Sequence, residues 1–332
     1  MAVIATGFFD GVHLGHRQVL DTLVSCAREM GQEAIVITFS RHPRMVLGQD
    51  ADSLRLLNSP EEKRALLMAA GVDRVEYVDF TPQFAAMTTL EYLQFLKSRY
   101  GVGAVVIGYD NRMGSDLLAP EETATVARTI GLAPVVAECS RSPLSTSAIA
   151  DPTIPLRCMV PPLMAPRVAH SPEGTAASAT EQAISSTKIR TALMEGRIGD
   201  ANSMLGYCYS LSGIVVHGNK IGRTLGYPTA NMCVDDPLKQ IPAGGVYFVQ
   251  VQVGPQTYWG MTNIGKRPTV GGSELTVETH ILDFSADIYG RQITIKFMQP
   301  LRAEQRFGSL EELKKNLAAD ESRCREILNG LQ

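Results

Sequence analysis

Along the first part of the chain, short apolar runs alternate with stretches in which apolar residues recur every three or four positions. Ala2 to Thr6 is a run of strand length. After it Val19, Leu20, Leu23, Val24, Ala27 and Met30 fall on one helical face, and Gly31 stands where a helix C-cap glycine belongs. A β-branched run follows from Ala34 to Thr38. Ser59-Pro60-Glu61-Glu62 reads as an N-cap, a proline at the first helical position and a capping-box glutamate, in a helix that stops at Gly71. Arg74 to Val78, a helix from about Thr89 to Tyr100, Ala104 to Ile107, a helix after Pro120 and Ala133 to Ala137 continue the alternation. Such repetition predicts an α/β doubly wound parallel sheet.

From Ser140 to Ala183 the rhythm gives way to a Pro-, Ser-, Ala- and Thr-rich stretch, read as an ordered excursion followed by a flexible loop. Helical periodicity resumes at Ser186 and ends at Gly196, and a second short helix precedes Gly206. After Tyr209 the segments Leu211 to His217, Gly245 to Val253, Tyr258 to Ile264, Leu275 to Leu282 and Gln292 to Phe297 read as strands between Gly- and Pro-containing turns. Successive strands without helices between them predict a small antiparallel β-barrel. The tail from Ser309 predicts a terminal helix with Leu310, Leu313, Leu317 and Ile327 on its apolar face. The pattern places a domain boundary near residue 206, dividing the chain into 1–206 and 207–332.

Composition narrows the class. At 332 residues, with 45% hydrophobic and 20% charged residues, the chain fits two ordinary globular domains. No apolar run approaches the roughly 18 residues of a membrane span, and MAVIATGFFDG lacks the basic start of a signal peptide. A formal net charge of −3 gives no field favouring nucleic acid or an anionic membrane. The six cysteines are scattered without a CxxC pair, which fits neither a zinc site nor a disulfide framework. A reducing, cytoplasmic setting is expected. Oligomeric state is not legible.

Candidate chemistry begins at Phe9-Asp10-Gly11-Val12-His13-Leu14-Gly15-His16, which follows the first strand and opens the first helix. Ligands of open α/β sheets bind beyond the C-terminal strand ends, and helix N-termini favour phosphate. His13 and His16, three apart, can face one anion, and Gly15 lets backbone approach it. A metal site is the rival reading, with no third ligand evident nearby. Preceded by FDGV, HLGH resembles the signature of the nucleotidyltransferase superfamily, which transfers AMP or CMP from a nucleoside triphosphate. Ser185-Ser186-Thr187-Lys188-Ile189-Arg190 resembles its second signature, a helix start whose hydroxyls, amides and arginine clamp phosphate. That resemblance implies nucleotide binding by Phe8, Asp10, Gly15, Ser185, Ser186 and Thr187, and transition-state neutralisation by His13, His16 and Arg190.

Gly213 to Asn231, containing HGNKIGRTLGYPTAN, is similar to the riboflavin kinase motif. Its glycines suit a loop wrapped on phosphates, which implies nucleotide binding by Gly218, Lys220, Gly222 and Arg223. Thr229 and Asn231 are hard oxygen donors suited to Mg²⁺. Asn263-Ile264-Gly265-Lys266-Arg267-Pro268-Thr269, Glu278-Thr279-His280 and Leu301-Arg302-Ala303-Glu304 also match that family. The resemblance makes Glu278 the base for the ribityl 5′-hydroxyl, and places Asn263, Arg267 and Arg302 at the flavin. Arg302 could equally cap the last helix.

Together these matches follow the order of the bacterial bifunctional riboflavin kinase/FAD synthetase (FMN adenylyltransferase). The resemblance implies riboflavin, FMN, FAD, ATP, ADP and pyrophosphate as partners, Mg²⁺ as cofactor and ATP as substrate. Three features depart from the family. Phe8 stands where the family usually has Asn. The family's GxDFRFG segment reads Gly108-Tyr109-Asp110-Asn111-Arg112-Met113-Gly114, so Asp110, Asn111 and Arg112 are the expected flavin contacts with both aromatics gone. The stretch from Ser140 to Ala183 is long for its place. These departures leave open a monofunctional riboflavin kinase, adenylylation of another phosphorylated cofactor such as a pantetheine phosphate, or a flavin-sensing regulator.

Overall fold

The computed structural model describes residues 1–48, 53–137, 184–218, 221–269 and 272–331, with only the backbone described at 221, 267–269, 272–274 and 331. The stretch Ser140 to Ala183 lies outside the described residues, as does Lys220. Contacts within the chain divide it into two compact units: Met1–Gln49 with Arg64–Ile184, and Asp50–Lys63 with Ser185–Gln332.

The first unit alternates strands and helices as β1 (Ala2–Thr6), α1 (Leu14–Met30), β2 (Glu33–Phe39), α2 (Pro43–Val46), α3 (Pro60–Ala69), β3 (Arg74–Val78), α4 (Pro82–Ala85), α5 (Thr89–Tyr100), β4 (Val102–Ile107), α6 (Pro120–Thr129) and β5 (Ala133–Val136). The first residues of α3 fall in the second unit. The strands form one parallel sheet in the order β3-β2-β1-β4-β5. Because strand side chains alternate in direction, each sheet face builds its own core. Val3, Ala5, Val36 and Val106 pack against Leu20, Leu23 and Val24 of α1. Ile4, Ile35 and Ile107 pack on the other face with Leu93 and Leu96 of α5 and Ala127 of α6. Gly31 caps α1 with φ 61°, the left-handed conformation that glycine adopts without penalty. Met30, expected on the buried face, is 41% exposed as the last residue of α1, and the buried residues of the helix end at Ala27.

The second unit contains α7 (Ser186–Met194), α8 (Ile198–Leu205), β6 (Ser210–Val216), α9 (Ile221–Thr224), β7 (Ala230–Val234), β8 (Gly245–Val253), β9 (Gln256–Thr269), β10 (Gly272–Ile281), β11 (Gln292–Ala303) and α10 (Leu310–Leu331). Its six strands close an antiparallel barrel in the order β10-β7-β6-β11-β8-β9. Five of these strands were expected from their alternation; β7 was not. The barrel tolerates no side chain at Gly213, where a Cβ would lie 2.2 Å from the Cys233 carbonyl oxygen. On the outer surface, Leu317, Cys324, Ile327 and Leu328 of α10 pack against Val246, Phe248, Met261 and Leu282. Leu310 is 59% exposed, correcting its expected place on that face; the contacting residues begin nearly two turns later.

Residues 53–59 belong to the barrel unit through Lys239, which is buried. Its ammonium donates to the Leu57 carbonyl at 2.8 Å, pairs with Glu62 and lies 5.0 Å from the centre of the Tyr209 ring. A buried lysine is tolerated when its charge is paired and its protons are accepted.

Candidate functional site

In the first unit the sequence FDGVH makes a sharp turn between β1 and α1. Phe9, Gly11 and Val12 all have positive φ (53°, 83° and 37°). For the β-branched Val12 this is a strained conformation, retained because its side chain is fully buried. The turn delivers His13 to the N-cap of α1, where its Nδ1 accepts the backbone N–H of His16 at 3.3 Å. The two imidazoles stack with centroids 3.6 Å apart. Gly15 makes that possible: a Cβ there would lie 3.2 Å from the His13 ring. His13 is only 5% exposed, and burial lowers its pKa to about 4. It is therefore a neutral imidazole at physiological pH, with Nδ1 accepting and its proton on Nε2.

Asp10 is buried beneath the same turn. Phe8 is half-buried, its ring edge-on to His42 with centroids 4.4 Å apart, and its carbonyl accepts from the Thr38 hydroxyl at 3.1 Å. His42 was not singled out from the sequence; only its position just after β2 could have marked it.

The loop after β4 carries the DNRMG segment. Asp110 and Arg112 are exposed, whereas Asn111 turns inward and donates to the Thr6 carbonyl at 3.3 Å. Met113 is 4% exposed and belongs to the core beside α5 and α6. Position 113 in this chain is thus a packing position. Gly114 admits no substitute, since it has φ 71° and a Cβ would lie 2.3 Å from the Thr89 nitrogen.

In the second unit, Ser185 is the N-cap of α7, and its hydroxyl accepts the Lys188 N–H at 3.4 Å. Ser186 and Thr187 form the first turn, and Arg190 reaches back to the Thr187 hydroxyl at 3.4 Å. The helix start and the arginine one turn on thus lie on one turn of α7.

The barrel brings together residues far apart in sequence. Strand register sets Glu278 of β10 directly opposite Asn231 of β7 on one side and Asn263 of β9 on the other. Directly opposite residues share a face. Their neighbours Thr262 and Thr279 point inward and are fully buried, so the Asn231–Glu278–Asn263 row lies on the outer surface. Glu278 and Asn231 are half-buried and Asn263 is exposed. Gly218 lies against this row, with the space for its missing Cβ 2.2 Å from Asn231 Nδ2. Gly222 is pressed on the Tyr227 carbonyl in the same way, and Arg223 is exposed on α9. Half-buried Thr229 directly precedes β7. Arg267 lies on β9, and only its backbone is described.

Of the two roles open to Arg302, the geometry displays the helix contact. Its Nε and Nη2 donate to the Asp320 carboxylate of α10 at 2.9–3.1 Å, and its guanidinium lies 5.4 Å from the centre of the Phe307 ring. Glu304 was read only as part of a motif. Its carboxylate accepts the Lys266 N–H at 3.2 Å and fits because Gly244 and Gly265 both lack a Cβ. Those two glycines, one just before β8 and one on β9, are the only sequence signal it had.

Among the described residues no three His, Cys, Asp or Glu side chains cluster to hold a metal, and no helix is long and apolar enough to cross a membrane. The family model described as FAD synthetase matches residues 1–133, and that described as riboflavin kinase matches residues 205–328. The bifunctional riboflavin kinase/FMN adenylyltransferase of Listeria monocytogenes is 32% identical over 99% of this chain and 93% of its own length. The Escherichia coli K12 protein of that name is 34% identical, over 98% of this chain and 92% of its own. A crystal structure described as a macrolide-efflux protein from Streptococcus pneumoniae superposes with a TM-score of 0.78 at 29% identity, covering 98% of this chain and 93% of that one. Full-length likeness and the same two domains in the same order lead to one conclusion: the chain belongs to the bifunctional riboflavin kinase/FMN adenylyltransferase family.

Proposed function

We infer that this enzyme phosphorylates riboflavin to FMN with ATP and then adenylylates FMN to FAD, releasing pyrophosphate. The observation that carries the reading is the outward row on the barrel, a carboxylate flanked by two amides, beside Gly218, whose missing Cβ gives the Asn231 amide its place, and Gly222, pressed on the Tyr227 backbone. An alcohol nucleophile gains from a positioned carboxylate, so Glu278 accepts the proton of the ribityl 5′-hydroxyl as that oxygen attacks the γ-phosphorus and the bond from that phosphorus to the bridging oxygen breaks, releasing ADP. Gly218, Lys220, Gly222 and Arg223 hold the nucleotide, and Asn263, Arg267 and Arg302 hold or frame the flavin. Thr229 and Asn231 suit Mg²⁺: they are hard oxygen donors, and the absent Cβ of Gly218 is what lets the Asn231 amide take its place on the row. Bound there, Mg²⁺ would neutralise the nucleotide phosphates.

The second reaction needs no base, because the attacking FMN phosphate is already anionic. Catalysis is then positioning and charge neutralisation. His13 offers its Nε2–H, and His16 and the start of α1 add donors for the α-phosphate. Phe8, Asp10 and Gly15 shape that nucleotide site, and Ser185, Ser186, Thr187 and Arg190 supply a second set of phosphate ligands. Asp110 and Arg112 face FMN. The functional division is adenylyltransferase in 1–206 and kinase in 207–332, and the setting is the reducing cytoplasm, which suits the free cysteines at 26, 208, 233 and 324.

Purified protein incubated with riboflavin, ATP and Mg²⁺, with the flavins separated by chromatography, tests this directly. FMN should form first and FAD after it. FMN alone would overturn the adenylyltransferase, and neither product from folded protein would overturn both activities.

A further inference from the structure

We propose that Asn111 is a positioning residue of the adenylyltransferase site, tying the loop after β4 to the end of β1 so that Asp110 and Arg112 face FMN. The inference rests on the adenylyltransferase reading above and adds a residue whose contribution in this chain comes from a departure from the family pattern.

The strand order β3-β2-β1-β4-β5 reverses direction at β1, since β2 and β3 lie on one side of it and β4 and β5 on the other. Ligands of open parallel sheets bind where the order reverses, outside the carboxyl ends of the two central strands. Here those ends are Thr6 of β1 and Ile107 of β4. The Asn111 amide crosses between them, its Nδ2 donating to the Thr6 carbonyl across 105 residues of sequence. Thr6 is fixed in turn, its hydroxyl 2.5 Å from the buried phenol of Tyr92.

Farther along, the same loop is anchored by its backbone. The Met113 and Leu118 backbones exchange hydrogen bonds, the Thr89 hydroxyl donates to the Met113 carbonyl at 2.8 Å, and the Met113 side chain is in the core. Residues 110 and 112 project outward, while 111 and 113 point inward. Asn111 is the anchor nearest the sheet's crevice, and the phenylalanine usual at this position has no group that could donate to Thr6. Without that bond the loop would stay attached at 113–118, and its exposed pair would lose its fixed position beside β1.

Two substitutions separate positioning from folding. Asn111→Leu keeps the side-chain size and adds no charge but removes the donor, and Asn111→Gln keeps the donor on a longer stem. Loss of one positioning hydrogen bond should raise KM for FMN by about tenfold in Asn111→Leu while kcat stays within about threefold. Asn111→Gln should recover KM to within about threefold of wild type. Riboflavin kinase parameters, measured on the same preparations, should not change. A KM for FMN unchanged in Asn111→Leu overturns the inference, as does a fall in kcat and melting temperature at constant KM, which a purely structural residue would give. A wild-type chain that makes no FAD overturns the adenylyltransferase reading and this inference with it.

Discussion

The rings of His13 and His16 stack with planes 14° from parallel and centroids 3.6 Å apart. Two imidazolium ions could not share that arrangement without strong repulsion, and burial keeps His13 neutral with a pKa of about 4 against 6.5 in an exposed histidine. As pH falls through 6.5 the unfolded chain takes up the proton first. Stability therefore declines from pH 6.5 downward and levels off near pH 4, by about 3 kcal/mol for this residue at full extent. Denaturant melts at pH 7.5 and 4.5 should show His13→Asn losing less stability on acidification than wild type. Equal losses would mean that His13 is not held neutral.

Glu278→Gln preserves the shape of the barrel row and removes its one proton acceptor. Phosphorylation of riboflavin should drop by about 10²–10⁴-fold, the usual contribution of a general base. Adenylylation of supplied FMN should continue at the wild-type rate, because that chemistry belongs to other residues. Loss of both activities would point to misfolding, and retention of the kinase would remove Glu278 from the mechanism.

Gly218→Ala would put a methyl group 2.2 Å from Asn231 Nδ2. The flexible amide can swing away, so the fold should survive with a melting temperature close to wild type. Asn231 would leave its place beside Glu278, and the Mg²⁺ concentration needed for half-maximal kinase rate should rise by about tenfold. An unchanged Mg²⁺ dependence would place the metal elsewhere.

Local chemistry made much of this fold legible. The capping box at Ser59 and Glu62 and the bounds of α5 follow from residues adjacent in sequence. β7 escaped notice because Ala230–Val234 is short and is preceded by a proline, and it carries Asn231. β11 extends beyond its expected end because register shifts between Phe297 and Gln299 and between Pro300 and Arg302 interrupt the alternation. The motifs named Glu278, Asn231 and Asn263 separately, but only barrel closure sets them side by side. The bond from Asn111 to Thr6 and the seat of Glu304 have no local signal at all, since their partners are brought together by the sheet and the barrel.

The clasp between Arg302 and Asp320 makes a prediction that separates stability from flavin binding. Asp320 is 6% exposed, and the Arg302 fork meets its carboxylate through Nε and Nη2. Asp320→Ala would leave the guanidinium partly buried without its counter-charge, a change that should destabilise the barrel by about 3 kcal/mol. Arg302→Lys should recover little of that contact, because an ammonium is a point donor and cannot reproduce the planar fork. Urea denaturation of both variants measures the loss, and riboflavin KM measured well below the transition reads flavin binding separately. If Arg302 serves chiefly to hold α10 on the barrel, the two variants will lose stability together while riboflavin KM moves by less than about threefold. A large rise in KM in Arg302→Lys, with stability close to wild type, would instead assign the guanidinium to the flavin.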